Sequence, residues 1–187
     1  MASKRIAWRT VTAVQGNPKY LIFQGSILEY KAKLEDQLFD ECNNIIAMIS
    51  SSILKKKCSD ESKAFFTKLV SDNHRYIAEM STGERHYKAI EEARGTYEQA
   101  SLIPLQPCNP IKLSISLNLS VFIYEVIKDM PKACEIANSA LTSALEKIDD
   151  LGEEEFKDAK AIIELLKENL SAWKEDEEAS KRPIGEI

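Results

Sequence analysis

Apolar residues recur at helical spacing along most of this chain, and short polar breaks separate the runs. Lys4 to Val14 reads as a short first helix that ends near Gly16, Asn17 and Pro18. The next begins at Ser26, where Ser26-Ile27-Leu28-Glu29 has the spacing of a capping box, and runs through Leu34, Leu38, Cys42, Ile45 and Ile49. Ser50-Ser51-Ser52 and the lysine run Lys55-Lys56-Lys57 predict a polar loop. A further helix spans about Glu61 to Met80, and Thr82-Gly83 separates it from one reaching about Ala100. Pro104, Pro107 and Pro110 make a stiff connection, in which Asn109 is a cap with proline at the first helical position. Pro131 opens another helix, Gly152 breaks it, and a last one runs from about Glu154 to Trp173. The pattern predicts an all-α chain of about seven helices, one domain over 1–173, and a charged disordered tail over 174–187.

One segment resists this reading. Leu113-Ser114-Ile115-Ser116-Leu117-Asn118-Leu119-Ser120-Val121 alternates apolar and polar, which is strand patterning. A helix is the alternative, because Leu113, Leu117 and Val121 share one helix face and serine is small enough for close packing. An isolated strand in a helical chain would lack a ladder partner.

Composition narrows the function classes. At 187 residues the chain is long enough for a real core. The net charge of −5 and the absence of a basic amphipathic run argue against nucleic acid as a partner. Lys55, Lys56 and Lys57 read as a solvated loop tip. No run of eighteen apolar residues exists, so no transmembrane helix and no membrane partner are expected. Cys42, Cys58, Cys108 and Cys134 lack metal-like or redox-like spacing, and they read as reduced thiols of a cytoplasmic protein. Cys42 and Cys134 lie within apolar helical patterns and are expected in the core. Two histidines, His74 and His86, are too few for a metal site without supporting residues.

Candidate chemistry concentrates on the helix over Glu61 to Met80. Lys68, Asp72, Arg75 and Glu79 sit at i, i+4, i+7 and i+11, in one narrow stripe. Phe65, Phe66, Leu69, Val70, Tyr76, Ile77 and Met80 form an apolar arc, and Thr67, Ser71, His74 and Ala78 a third arc expected to face solvent. The stripe therefore reads as a groove wall between core and water. Arg75 and Tyr76 offer a planar cationic fork and a phenolic donor, which suits a phosphate. A solvated face with i,i+4 ion pairs is the plainer alternative.

Two amides sit on apolar faces. Asn169 lies among Ile162, Leu165, Leu166 and Trp173, and Asn118 has a similar placement with Glu125 two turns on. A carboxamide there needs partners, either another helix or the backbone of a bound peptide.

With these residues in view, the chain resembles the 14-3-3 family of phosphoserine/phosphothreonine-binding adaptors. Glu61-Ser62-Lys63-Ala64-Phe65-Phe66 with Arg75-Tyr76-Ile77-Ala78-Glu79 is similar to one family signature. Pro110-Ile111-Lys112-Leu113 with Leu117 through Glu125 is similar to a second. Lys132-Ala133-Cys134 and the closing run Leu165 to Trp173 extend the likeness, and Lys4-Arg5-Ile6-Ala7-Trp8-Arg9 resembles a basic stretch of the family's third helix. The resemblance implies an antiparallel helical bundle with an amphipathic concave groove, no catalytic activity and no cofactor. It assigns phosphate binding to Arg5, Arg75 and Tyr76. It assigns the peptide groove to Lys68, Asn118, Glu125 and Asn169, with Leu117, Val121, Ile162, Leu165 and Trp173 as the apolar wall. Phosphorylated client proteins are the implied partners. Tyr30 and Lys33 match dimer-interface positions, so a homodimer is implied as well.

The departures set further expectations. The family's first two helices have no counterpart here, nor does the lysine that completes its phosphate site, and Gln37 stands where an acidic interface residue is usual. Weaker but phosphate-dependent binding is expected, with dimer formation in question. A helical scaffold that has lost phosphate recognition is the competing reading. An enzyme built on the free cysteines and His74 is a third, without a nucleophile, base and orienting group at a telling spacing.

Overall fold

Seven α-helices, joined by short turns, carry the described residues 1–181 of a computed structural model. They are α1 (Ala2–Val14), α2 (Gln24–Met48), α3 (Asp60–Met80), α4 (Gly83–Ser101), α5 (Pro110–Phe122), α6 (Met130–Leu145) and α7 (Glu153–Lys181), with no strand among the described residues. The all-α expectation is met, and the alternating segment is α5. Its serines show how alternation fits a helix. Ser114, Ser116 and Ser120 each donate a hydroxyl hydrogen to a carbonyl one turn back, on Ile111, Lys112 and Leu117. A serine whose hydroxyl is satisfied by its own helix can sit on a packed face at little cost.

Several boundaries differ from the sequence reading. Ser26 lies inside α2 rather than capping it, because a 3₁₀ turn over Pro18–Phe23 carries the chain directly into α2. Ser50, Ser51 and Ser52 belong to a π-helical turn, Ile49–Ile53, that extends α2 instead of opening a loop. α7 continues past Trp173 to Lys181, so the first part of the expected disordered tail is helical; residues 182–187 lie outside the described residues. The mixed charges after Trp173 suit a solvated helix as well as a loop. The cap at Asn109 forms as expected, its side chain accepting hydrogen bonds from the amides of Ile111 and Lys112.

The chain divides into two compact units, each with its own core. The first takes in Met1–Lys56 and Leu69–Ala93. In it α1 packs on α2. Leu34, Leu38 and Cys42 of α2, Val70 and Ile77 of α3 and Ala89 of α4 are buried. Lys4 pairs with Glu41, and the Trp8 indole donates to Glu35 at 3.0 Å, so one face of α1 is pinned to α2. The second unit takes in Lys57–Lys68 and Arg94–Ile187. There α5 packs on both α6 and α7, and α6 on α7. Ala64, Ala100, Ile103 and Ile115 form one core cluster, and the Tyr97 and Phe122 rings meet at 5.7 Å. The Lys112 ammonium bonds the carbonyl oxygens of Ser101 and Ile103, closing the end of α4; burial pushes its pKa down.

By length and composition alone, Pro110–Ile127 would reach across a bilayer, with mean hydropathy 1.4 over 18 residues. The window contains Lys112, three serines, Asn118 and Glu125, so it is not the unbroken run of eighteen apolar residues on which the expectation of no transmembrane helix rests. Serine and asparagine weigh little against the many Leu, Ile and Val around them, and a core helix of a packed bundle meets the same criterion. Cysteine burial is corrected: Cys42 and Cys108 are buried, whereas Cys134 is only partly so, because it lies beside the Ala133–Ala137 stripe that α6 buries. All four thiols are free, and burial pushes that of Cys42 up to about 11.

Candidate functional site

The first unit gathers its charge around one carboxylate. On α3, Asp72, Arg75 and Glu79 stand three and four residues apart, so they share a line. Arg75 Nη1 donates to Glu79 Oε1 at 2.7 Å, and Arg75 Nη2 lies 4.0 Å from Asp72 Oδ1. On α1, Lys4 and Trp8 turn toward α2. Arg5 and Arg9, each one residue later, turn toward α3. Their Nη2 atoms lie 3.3 and 3.5 Å from Glu79 Oε2. Three guanidinium groups thus converge on Glu79, whose side chain is 11% exposed.

Tyr76 completes the cluster. The Arg5 Cζ lies 3.3 Å from its ring centroid and the Arg75 Cζ 4.8 Å, both within cation–π range. Burial, and then the charge of Asp72, push its phenol pKa above the ordinary value, so the hydroxyl keeps its proton and remains a donor. Both arginines assigned to phosphate therefore lie against the Tyr76 ring, although Arg5 and Arg75 come from separate helices.

The surroundings correct the picture of α3 as a groove shoulder. Thr67, Ser71 and Ala78, expected toward solvent, are buried, and His74 is half-buried. Asp72 and Arg75 are buried as well, with Arg75 only 7% exposed, whereas Phe65 of the apolar arc is 46% exposed. Small residues on the third arc permit close packing, which a polarity pattern cannot distinguish from hydration. The Thr67 hydroxyl is satisfied inside the helix by the Lys63 carbonyl, at 2.7 Å.

The second unit holds the residues assigned to a peptide chain, and also Lys68, which is half-buried on α3. On α5, Leu117, Asn118 and Val121 are half-buried; Glu125, in the π turn after it, is exposed. α7 buries Ala159, Ile163, Leu166, Leu170 and Trp173. Asn169 is therefore not in the middle of the buried stripe, as its apolar neighbours suggested. It stands beside that stripe with Ile162, both half-buried, and Leu165 is 47% exposed. These three residues form a second, partly open strip of α7. Trp173, assigned to the apolar wall of the groove, is buried and stacked on Tyr124, ring centroids 4.7 Å apart and planes 18° apart. Tyr30 on α2 is exposed, as is Lys33.

Two participants were missed from sequence. Arg9 appeared only within the basic stretch, and Glu79 only as the end of a stripe. The spacing of Arg9 four residues after Arg5, on the same helix face, was the available signal. Among the described residues, no group of three or more His, Cys, Asp or Glu side chains gathers as a metal site.

Comparison with known proteins identifies the fold's relatives. A family model described as "14-3-3 protein" matches residues 1–174. "14-3-3 protein 6" of Solanum lycopersicum is 35% identical over 185 residues, which cover 94% of this chain and 70% of that protein. "14-3-3 protein 2" of Entamoeba histolytica is 34% identical over 184 residues, covering 94% and 76%. "14-3-3-like protein A" of Glycine max is 34% identical over 204 residues, covering 100% and 78%. With the helical fold and ordered signatures along nearly its whole length, the chain belongs to the 14-3-3 family.

Proposed function

We propose that this chain is a non-catalytic adaptor that binds phosphoserine- or phosphothreonine-containing segments of client proteins. Family membership supports an adaptor role toward phosphorylated partners. The convergence of Arg5 and Arg75 on the Tyr76 ring and on Glu79 carries the finer reading. A phosphomonoester brings roughly −1.5 to −2 charges and three acceptor oxygens. Two guanidinium forks and a protonated phenol supply complementary donors, each charge-assisted bond contributing about 1.5–3 kcal/mol. In the second unit, Asn118 and Asn169 offer both donor and acceptor groups to a peptide backbone. Leu117, Val121, Ile162 and Leu165 offer apolar surface beside them, with Lys68 and Glu125 as polar contacts. The four free cysteines support a reducing, cytoplasmic setting for this role.

Fluorescence anisotropy with matched phosphorylated and unphosphorylated peptides tests the proposal. The phosphorylated peptide is expected to bind at least tenfold more tightly, and equal binding of the two ends the reading. Arg5→Ala and Arg75→Ala are each expected to lower phosphopeptide affinity about tenfold or more. Arg5 is the cleaner variant, because removing the buried Arg75 strips Glu79 and Asp72 of a cation. The hold of Glu79 on all three arginines favours the competing reading, a scaffold whose arginines are already engaged in ion pairs within the fold. A scaffold keeps its partners after both changes; an adaptor loses them.

A further inference from the structure

The geometry points to the turn between α1 and α2 as a peripheral membrane contact: an apolar tip on a basic base, suited to an anionic phospholipid surface. Leu21, Ile22 and Phe23 are consecutive in this 3₁₀ turn and are 62%, 86% and 55% exposed. Three adjacent large apolar side chains in water mark a surface that meets something else. Leu28 and Tyr30, each half exposed, add to it in the first two turns of α2. The turn is a built element. Pro18 opens it, and the Asn17 side chain accepts from the Lys19 amide at 2.9 Å. It also stands clear of the core. Among the described residues of α1, the turn and α2 before Leu34, none is buried. Leu34 is ten residues into α2, so the tip lies about 15 Å along the helix from the first covered position.

Charge selects the partner. The chain as a whole carries −5, yet residues 1–33 hold six Lys and Arg against one acidic residue, Glu29. Such asymmetry within an acidic chain is a mark of an anionic partner. Lys4, Arg5 and Arg9 are engaged by Glu41 and Glu79. The cations toward the turn are Lys19 and Lys33, both exposed, and Lys31, whose ammonium donates to Gln15 and lies 3.7 Å from Glu35. Lysine stems lie along apolar side chains and keep the ammonium among headgroups. Lys19 already sits over the Tyr20 ring, 5.8 Å from its centroid, and tyrosine rings suit the headgroup level. A second copy of the chain docked tip to tip would bring these lysines together, and like charges oppose that. A contact of this kind needs no spanning helix, only apolar area with basic residues beside it. It stands apart from the phosphate-binding reading, since it uses none of the residues assigned to phosphate or peptide.

Co-sedimentation of the full chain with vesicles tests it. The vesicles are phosphatidylcholine alone, or phosphatidylcholine with about one third phosphatidylserine. Wild type is expected to bind the anionic vesicles about tenfold or more tightly than the neutral ones, and raised salt to weaken that binding. Ile22→Asp is expected to lower binding to the anionic vesicles about tenfold or more, because it places a charge at the apolar tip. Lys19→Glu is expected to lower binding to anionic vesicles and leave the neutral ones unchanged. Wild type that does not bind anionic vesicles overturns the inference. So does binding that Ile22→Asp leaves intact, since the contact would then lie elsewhere. Light scattering that shows wild type self-associating without vesicle binding, and Ile22→Asp monomeric, assigns the turn to a second copy and overturns it too. Circular dichroism checks folding, and Ile22→Ser carries the same test should the aspartate variant not fold. Phosphopeptide affinity is expected to be unchanged in Ile22→Asp, so the two readings stand or fall separately.

Discussion

Tyr124 lies flat on Trp173, and its hydroxyl donates to the Asp176 carboxylate. That hydrogen bond is the main reason its phenol pKa is pushed up to about 12, with burial second. The contact also explains in part why α7 does not end at Trp173: the next turn of the helix has a partner. Tyr124→Phe keeps the stack and deletes the bond. We expect spectrophotometric titration to lose one tyrosine ionising near pH 12, and hydrogen exchange to quicken in α7 beyond Trp173. Because the bond is exposed, global stability should hardly change. At the same scale, the pairing of Arg5 with Glu79 spans 74 positions of sequence. Helical spacing alone could align Asp72, Arg75 and Glu79, but nothing local could bring Arg5 or Arg9 to them; the family resemblance assigned Arg5 to phosphate with Arg75 and Tyr76, and gave Arg9 no role.

Elements are where pattern reading worked best and where its failures are most instructive. Asn109 before Pro110 was legible as a cap, because the groups it satisfies lie two and three residues away: the amides of Ile111 at 2.9 Å and Lys112 at 3.3 Å. Its amide also reaches Glu61, at 2.8 Å. Asn109→Ala is expected to cost about 1 kcal/mol, seen as a lower urea midpoint with an unchanged slope. Ser26 had an equally good cap sequence and does not cap, because the turn over Pro18–Phe23 leads straight into α2. The alternation in α5 was ambiguous for a definable reason. A serine that returns its hydrogen bond to the preceding turn behaves as a small packing residue, and polarity scales count it as exposed.

For the molecule as a whole, α3 departs furthest from its sequence pattern. Thr67, Ser71, Asp72, Asn73, Arg75 and Ala78 are all buried, so the polar positions are covered, while Phe65 of the apolar arc is 46% exposed. His74 shares this burial in part, and desolvation holds its pKa below the ordinary 6.5, with Glu92 opposing the shift. The unfolded chain therefore takes up a proton that the folded chain resists. Stability from the neutral imidazole is complete above pH 6.5 and is lost as pH falls through the lower folded value. Thermal melts between about pH 8 and pH 5 should show a falling midpoint, and His74→Gln should flatten that part of the profile. A midpoint equally pH-dependent in the variant would assign the loss to other groups.

Seven helices and most of their limits follow from sequence alone, because a helix bonds within itself at i to i+4 and its signals are local. The residues that could meet a phosphate were also legible as types and spacings. Tertiary structure decided which arcs are covered, that Leu165 rather than Asn169 stands open to solvent, and that three arginines share one carboxylate. Burial and charge pairing depend on what other segments of the fold bring alongside, and periodicity within one helix carries no record of its neighbours.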